Sequence, residues 1–87
     1  MKSTPYSVYI LECADGTYYT GITTDLARRI DEHNHSDKGA RYTRARRPVV
    51  LRYHEACVDK SHALKREIAI KRLTRTAKTH LIAQGSS

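Results

Sequence analysis

The stretch YSVYILECADGTYYTGIT, residues 6–23, decides how the rest of the chain is read. Its two ends, 6–13 and 17–23, are rich in β-branched and aromatic residues, which pack well on a pleated surface. Ala14-Asp15-Gly16 between them has turn chemistry, so the segment predicts a β-hairpin. Loop length then sets the register. A two-residue turn at Asp15-Gly16 pairs Tyr9 with Ile22 and sends Tyr9 and Tyr19 to opposite faces. A three-residue loop, with Gly16 in the left-handed conformation, pairs Tyr9 with Gly21 instead. Tyr9 and Tyr19 then share a face, and Gly21 leaves open space beside the Tyr9 ring. Either tyrosine is equally at home as an ordinary strand residue of the core.

Downstream, Asp25 has the chemistry of an N-cap for a helix from Leu26 to about His33. At about 100° per residue, Leu26, Arg29, Ile30 and His33 fall on one side and Arg28, Asp31 and Glu32 on the other. Arg28 has Glu32 four residues on, the spacing of a solvated ion pair. Arg29 instead meets His33 at that spacing, at the edge of the apolar stripe. A guanidinium and an imidazole so placed suit a phosphate, or an arginine snorkelling outward from the core edge. Residues 34–47 form a polar, basic connection containing Gly39, long enough to imply function or a short extra turn of structure. Pro48 opens a third strand, 49–57. Asp59 or Ser61 caps a helix over 62–72, Thr74 caps another over 75–83, and Gly85-Ser86-Ser87 reads as a frayed tail. The order is β-β-α-β-α-α, an α+β chain.

The 87 residues predict a single domain, 1–87, with an ordered core of about 6–83. Sixteen Lys/Arg against nine Asp/Glu give a formal charge of +7 and an isoelectric point near 9.7. A field of that sign attracts polyanions, nucleic acid first and an anionic membrane second; a solubilising surface without a partner is the plain alternative. No apolar run is long enough to span a membrane or follows Lys2 as a signal peptide would, so a cytoplasmic protein is expected. Cys13 and Cys57 lack C-x-x-C spacing and read as reduced core thiols. The five histidines form no zinc pattern.

From Lys60 to the end there are seven Lys/Arg and one carboxylate side chain, Glu67. Its helical neighbours Ala63, Leu64 and Ile70 put it beside the apolar side, where a lone carboxylate needs a partner or a metal. Lys71, four residues on, offers the ordinary partner; a hard divalent cation on a phosphate-binding surface offers the other. Lys38, Arg41, Arg44, Arg46 and Arg47 in the long connection, with Lys65, Lys71, Arg72 and Arg75 on the helices, are candidate phosphate contacts. Tyr42 is a candidate platform for an exposed base. A solvated, disordered charge run is the alternative for 41–47.

Ser7-Val8-Tyr9 followed, after a ten-residue step, by Tyr19-Thr20-Gly21 resembles the GIY…YIG signature of the GIY-YIG nuclease superfamily. Leu26–His33 resembles the arginine helix of that family, and the run Ala63–Leu73 its glutamate helix. The resemblance covers about 6–82 and is nearest to the short stand-alone bacterial YhbQ-like subgroup. It implies a three-stranded antiparallel sheet flanked by helices. It also implies a metal-dependent endonuclease that hydrolyses phosphodiester bonds in DNA, in DNA repair or processing, with one Mg2+ or Mn2+. The site residues implied are Tyr9, Tyr19, Arg29 and Glu67, with Glu67 as metal ligand and His33 as helper. Ser7 and Thr20 depart from the signature but suit strands. Ile22 and Thr79 stand where some DNA-repair members have a polar or basic residue. A binding module that keeps the fold without catalysis is the alternative, and a purely structural domain with both tyrosines in the core is a third reading.

Overall fold

Two strands, β1 (Tyr6–Glu12) and β2 (Tyr18–Thr23), are joined by the turn that fixes the register. Gly16 has φ 84°, a conformation that costs glycine little. The Gly16 N–H donates to the Cys13 carbonyl at 2.9 Å, and the Cys13 N–H to the Thr17 carbonyl at 2.8 Å. Asp15 accepts from the Thr17 N–H at 3.1 Å and its hydroxyl at 2.7 Å. The loop is therefore the three-residue one, and Tyr9 pairs with Gly21.

The remaining elements are α1 (Leu26–His35), α2 (Arg41–Arg44), β3 (Val50–Cys57), α3 (Lys60–Lys71) and α4 (Arg75–Gly85). The computed structural model describes residues 5–85. The sheet is antiparallel in the order β2-β1-β3, so β1 is central. A register shift between Ile10 and Leu11 leaves Arg52 as an extra residue on β3. Both faces of β1 are covered, and Val8, Tyr9, Ile10 and Leu11 are all buried. Val8 and Ile10 pack with Tyr53, Cys57, Ala63 and Ile70, the side of α3 and α4. Tyr9 and Leu11 pack with Cys13, Val49, Leu26, Ile30 and Tyr19, the side of α1. Both cysteines are buried free thiols, and burial pushes each thiol pKa up. Among the described residues no helix is long and apolar enough to cross a membrane.

The helix ends differ from expectation by small amounts with identifiable causes. Asp25 caps α1 by accepting from the Arg28 N–H at 3.1 Å, but α1 runs on to His35. Its last carbonyls find a donor from far away in sequence. Arg47 gives Nε to the His33 carbonyl at 2.6 Å and Nη2 to the carbonyls of Glu32 and Ser36. The long connection carries the short helix α2, in which Thr43 is fully buried. Asp59 rather than Ser61 caps α3, accepting from the His62 N–H at 2.8 Å, so α3 starts two residues early. Thr74 caps α4, its hydroxyl accepting from the Ala77 N–H at 3.1 Å. Gly85, expected to fray, belongs to α4 and packs on the Tyr53 ring; the rest of the expected tail, 86–87, lies outside the described residues.

Candidate nuclease site

Tyr9 extends its ring over Gly21, where an added Cβ would meet the phenol oxygen at 2.5 Å and Cζ at 2.7 Å. The space left by a missing side chain is thus filled by the facing tyrosine. Its hydroxyl reaches His33 Nε2 at 2.8 Å, and the two rings meet edge-on with centroids 5.8 Å apart. Tyr19 stands on the same face, its ring 5.2 Å from that of His33 and also edge-on. Tyr9 and His33 are buried, while Tyr19 is partly open to solvent. Burial pushes the Tyr9 phenol up to about 12, against the pull of Arg29. Burial, reinforced by the positive charges of Arg29 and Arg47, brings His33 down to about 4. At neutral pH both groups are uncharged, and the bond between them is a neutral one.

Arg29 lies at the edge of this cluster, a quarter exposed. Its guanidinium donates to Glu32 Oε1 at 2.9 Å and to the Lys38 carbonyl at 2.8 Å. Burial works against the Arg29 charge, but its bond to the Glu32 carboxylate raises its pKa overall. The Arg28–Glu32 pair expected from i,i+4 spacing is replaced by Arg29–Glu32 at i,i+3. The reason is burial: the half-buried guanidinium needs a counter-charge, and exposed Arg28 has water.

Glu67 comes from α3, the helix whose Ala63 and Ile70 pack with Val8 and Ile10 of β1. The Glu67 side chain is 18% exposed, and the more open Lys71 places Nζ 3.5 Å from Oε2, a long contact. The apolar neighbourhood expected around it is only partly present: Ala63 and Ile70 are buried, but Leu64 is 40% exposed. β1, β2 and α1 thus bring Tyr9, Tyr19 and His33 into contact, with Arg29 one turn before His33 on α1, while Glu67 stands on α3 beside Lys71. Among the described residues no three His, Cys, Asp or Glu side chains group as a metal cage. A lone carboxylate such as Glu67 would suit only a hard cation that keeps most of its water.

The expected phosphate contacts divide. Arg41 and Arg44 are exposed on α2. Arg46 is held by Asp15 at 3.0 Å and lies 3.8 Å above the Tyr42 ring. Tyr42 itself stacks on Tyr19, with centroids 6.0 Å apart. Tyr42 remains exposed in this arrangement, with Arg46 over its ring. Arg47 is taken up by the α1 carbonyls. Arg75 lies 4.7 Å over the Tyr18 ring, whose hydroxyl meets Thr79 at 3.2 Å. Lys38, Lys65 and Arg72 are exposed. Sequence reasoning missed Thr43, whose hydroxyl stands 2.8 Å from His33 Nδ1; a threonine in a basic loop gives no signal of such a role.

With this arrangement in view, the class follows from comparison. Residues 5–80 match the family model of the GIY-YIG catalytic domain, and the chain belongs to this family of nucleases. More particularly, it is similar to a UPF0213 protein of Desulfotalea psychrophila, 67% identical over 75 residues that make up 86% of this chain and 68% of that protein. A UPF0213 protein of Halobacterium salinarum is 55% identical over 76 residues, 87% of this chain and 97% of its own length. The solution NMR structure of a UPF0213 protein from Bacillus halodurans superposes with a TM-score of 0.60 at 46% identity, covering 94% of this chain and 87% of that one. The three-stranded antiparallel sheet with flanking helices is thus shared with a protein of related sequence.

Proposed function

We propose that this chain is a metal-dependent endonuclease that hydrolyses phosphodiester bonds in DNA, in repair or processing. The observation that carries the reading is that Tyr9, Tyr19 and His33 meet on one face of the sheet with the Arg29 guanidinium one turn from His33, in a GIY-YIG catalytic-domain match that also takes in the carboxylate of Glu67. A phosphodiester needs this pairing: a cation for its oxygens as charge builds and an anion to hold a metal. Glu67 would hold Mg2+ or Mn2+, which supplies charge neutralisation at the phosphate and at the leaving oxygen. Arg29 exchanges its Glu32 and Lys38 contacts for the non-bridging oxygens. Tyr19, the more open of the two phenols, faces the attacking water; Tyr9 fixes its position. A phenol with pKa of about 12 does not serve as a base near neutrality, so Tyr9 orients and does not deprotonate. Arg41 and Arg44 meet the backbone on either side of the scissile bond.

A binding module without catalysis is the second reading. It is favoured by the existing Arg29–Glu32 and Arg29–Lys38 bonds, which leave the guanidinium satisfied. Cleavage of a panel of duplex, branched and single-stranded DNA with Mg2+ separates the two. The nuclease reading expects metal-dependent nicks that Glu67→Gln reduces by at least about a thousandfold, with unchanged thermal unfolding. DNA retention without cleavage in the parent protein, or full activity in Glu67→Gln, removes the nuclease reading.

A further inference from the structure

Thr43 is fully buried, and its hydroxyl oxygen lies 2.8 Å from His33 Nδ1 and 2.9 Å from the Ala40 carbonyl oxygen. A hydroxyl has one proton and two lone pairs. The Ala40 oxygen can only accept, so the Thr43 proton points there; without it, two oxygens at that distance would repel. Thr43 therefore offers a lone pair to Nδ1, which must carry the ring proton. Nε2 is then bare, and the Tyr9 hydroxyl 2.8 Å away donates to it. One contact favours the opposite tautomer, the Ala40 N–H at 3.4 Å from Nδ1, and it is the longest of the set.

We infer that Thr43 is a positioning residue: it fixes the Nδ1–H tautomer of His33 and thereby makes Tyr9 present lone pairs, not its proton, to the site. The consequence for catalysis rests on the nuclease reading above. A phenol oxygen that accepts takes a hydrogen bond from the attacking water and turns the water's own lone pair toward phosphorus. A phenol aimed proton-first would bind a phosphate oxygen instead and leave the water unoriented. No bond forms or breaks in this step; every proton of the chain from Tyr9 through His33 and Thr43 to Ala40 stays where it is.

The test is 15N NMR of the imidazole nitrogens in 15N-histidine-labelled protein, near neutral pH, with no DNA and no metal. The expected result is a His33 with a protonated, pyrrole-type Nδ1 and a bare, pyridine-type Nε2. Thr43→Ser retains that signature. Thr43→Val, which keeps the shape and removes the acceptor, shifts it toward Nε2–H and lowers the cleavage rate by about tenfold to a hundredfold, the usual scale for partners that orient a reactive ring. A parent protein with the Nε2–H tautomer overturns the inference. So does a folded Thr43→Val with the parent tautomer and rate. If Thr43→Val does not fold, the parent and Thr43→Ser spectra decide. A parent protein that has the Nδ1–H tautomer but cleaves nothing supports the assignment of Thr43 while removing the nuclease reading.

Discussion

At the scale of single residues, Gly21 and Tyr9 are two halves of one feature. The glycine is placed where the sheet needs no side chain because the facing phenol takes its space. Gly21→Ala puts a carbon within 2.7 Å of the Tyr9 ring and within 2.5 Å of its oxygen. The ring must leave the place where its hydroxyl meets His33. The expected cost is about 1–3 kcal/mol from overpacking, measurable by urea unfolding, together with loss of cleavage. Tyr9→Leu in the same chain should recover part of that stability, because the smaller side chain removes the clash. Strict additivity of the two substitutions would show that the methyl group is accommodated elsewhere. The sequence offered both registers for this pair; the conformation of Gly16 selects one.

At the scale of elements, the long basic connection proves to be part of the fold. Arg47 closes the C-terminus of α1, Asn34 exchanges two hydrogen bonds with the backbone of Val49, and Thr43 is buried against His33. These contacts hold the helix bearing Arg29 and His33 against the start of β3. Arg47→Ala leaves the carbonyls of Glu32, His33 and Ser36 without their guanidinium. We expect a loss of about 1–3 kcal/mol by urea denaturation and weaker amide-exchange protection in the last turn of α1. An unchanged unfolding midpoint would return Arg47 to the pool of candidate phosphate contacts. The helix starts were legible in Asp25, Asp59 and Thr74, because caps are local chemistry. The extension of α1 to His35 was not legible, because its donor lies in another segment.

At the scale of the whole molecule, the net charge of +7 overstates what is available to a polyanion. Of the nine basic residues expected at phosphates, Arg46, Arg47, Lys71 and Arg75 have partners within the fold. Lys38, Arg41, Arg44, Lys65 and Arg72 are exposed. If those five carry DNA binding, log K should fall with log salt at a slope of about −4 to −5. Replacing Arg41 and Arg44 with alanine should reduce the slope by about 2, measured by fluorescence anisotropy on labelled duplex. A slope near zero would remove the backbone-contact surface altogether.

Local sequence sufficed for the hairpin, the order of the three strands and three longer helices, and the polyanion-seeking charge, but not for the short helix α2. These follow from side-chain type, local spacing and capping, which act within a few residues. The tertiary structure alone decided that Tyr9 faces Gly21 and bonds to His33, that Glu32 serves Arg29 and not Arg28, and that Thr43 stands behind the imidazole. Each of these depends on which groups lose water together when the sheet and helices close. A buried donor or acceptor must then find its partner among whatever the fold has brought near, however distant in the chain.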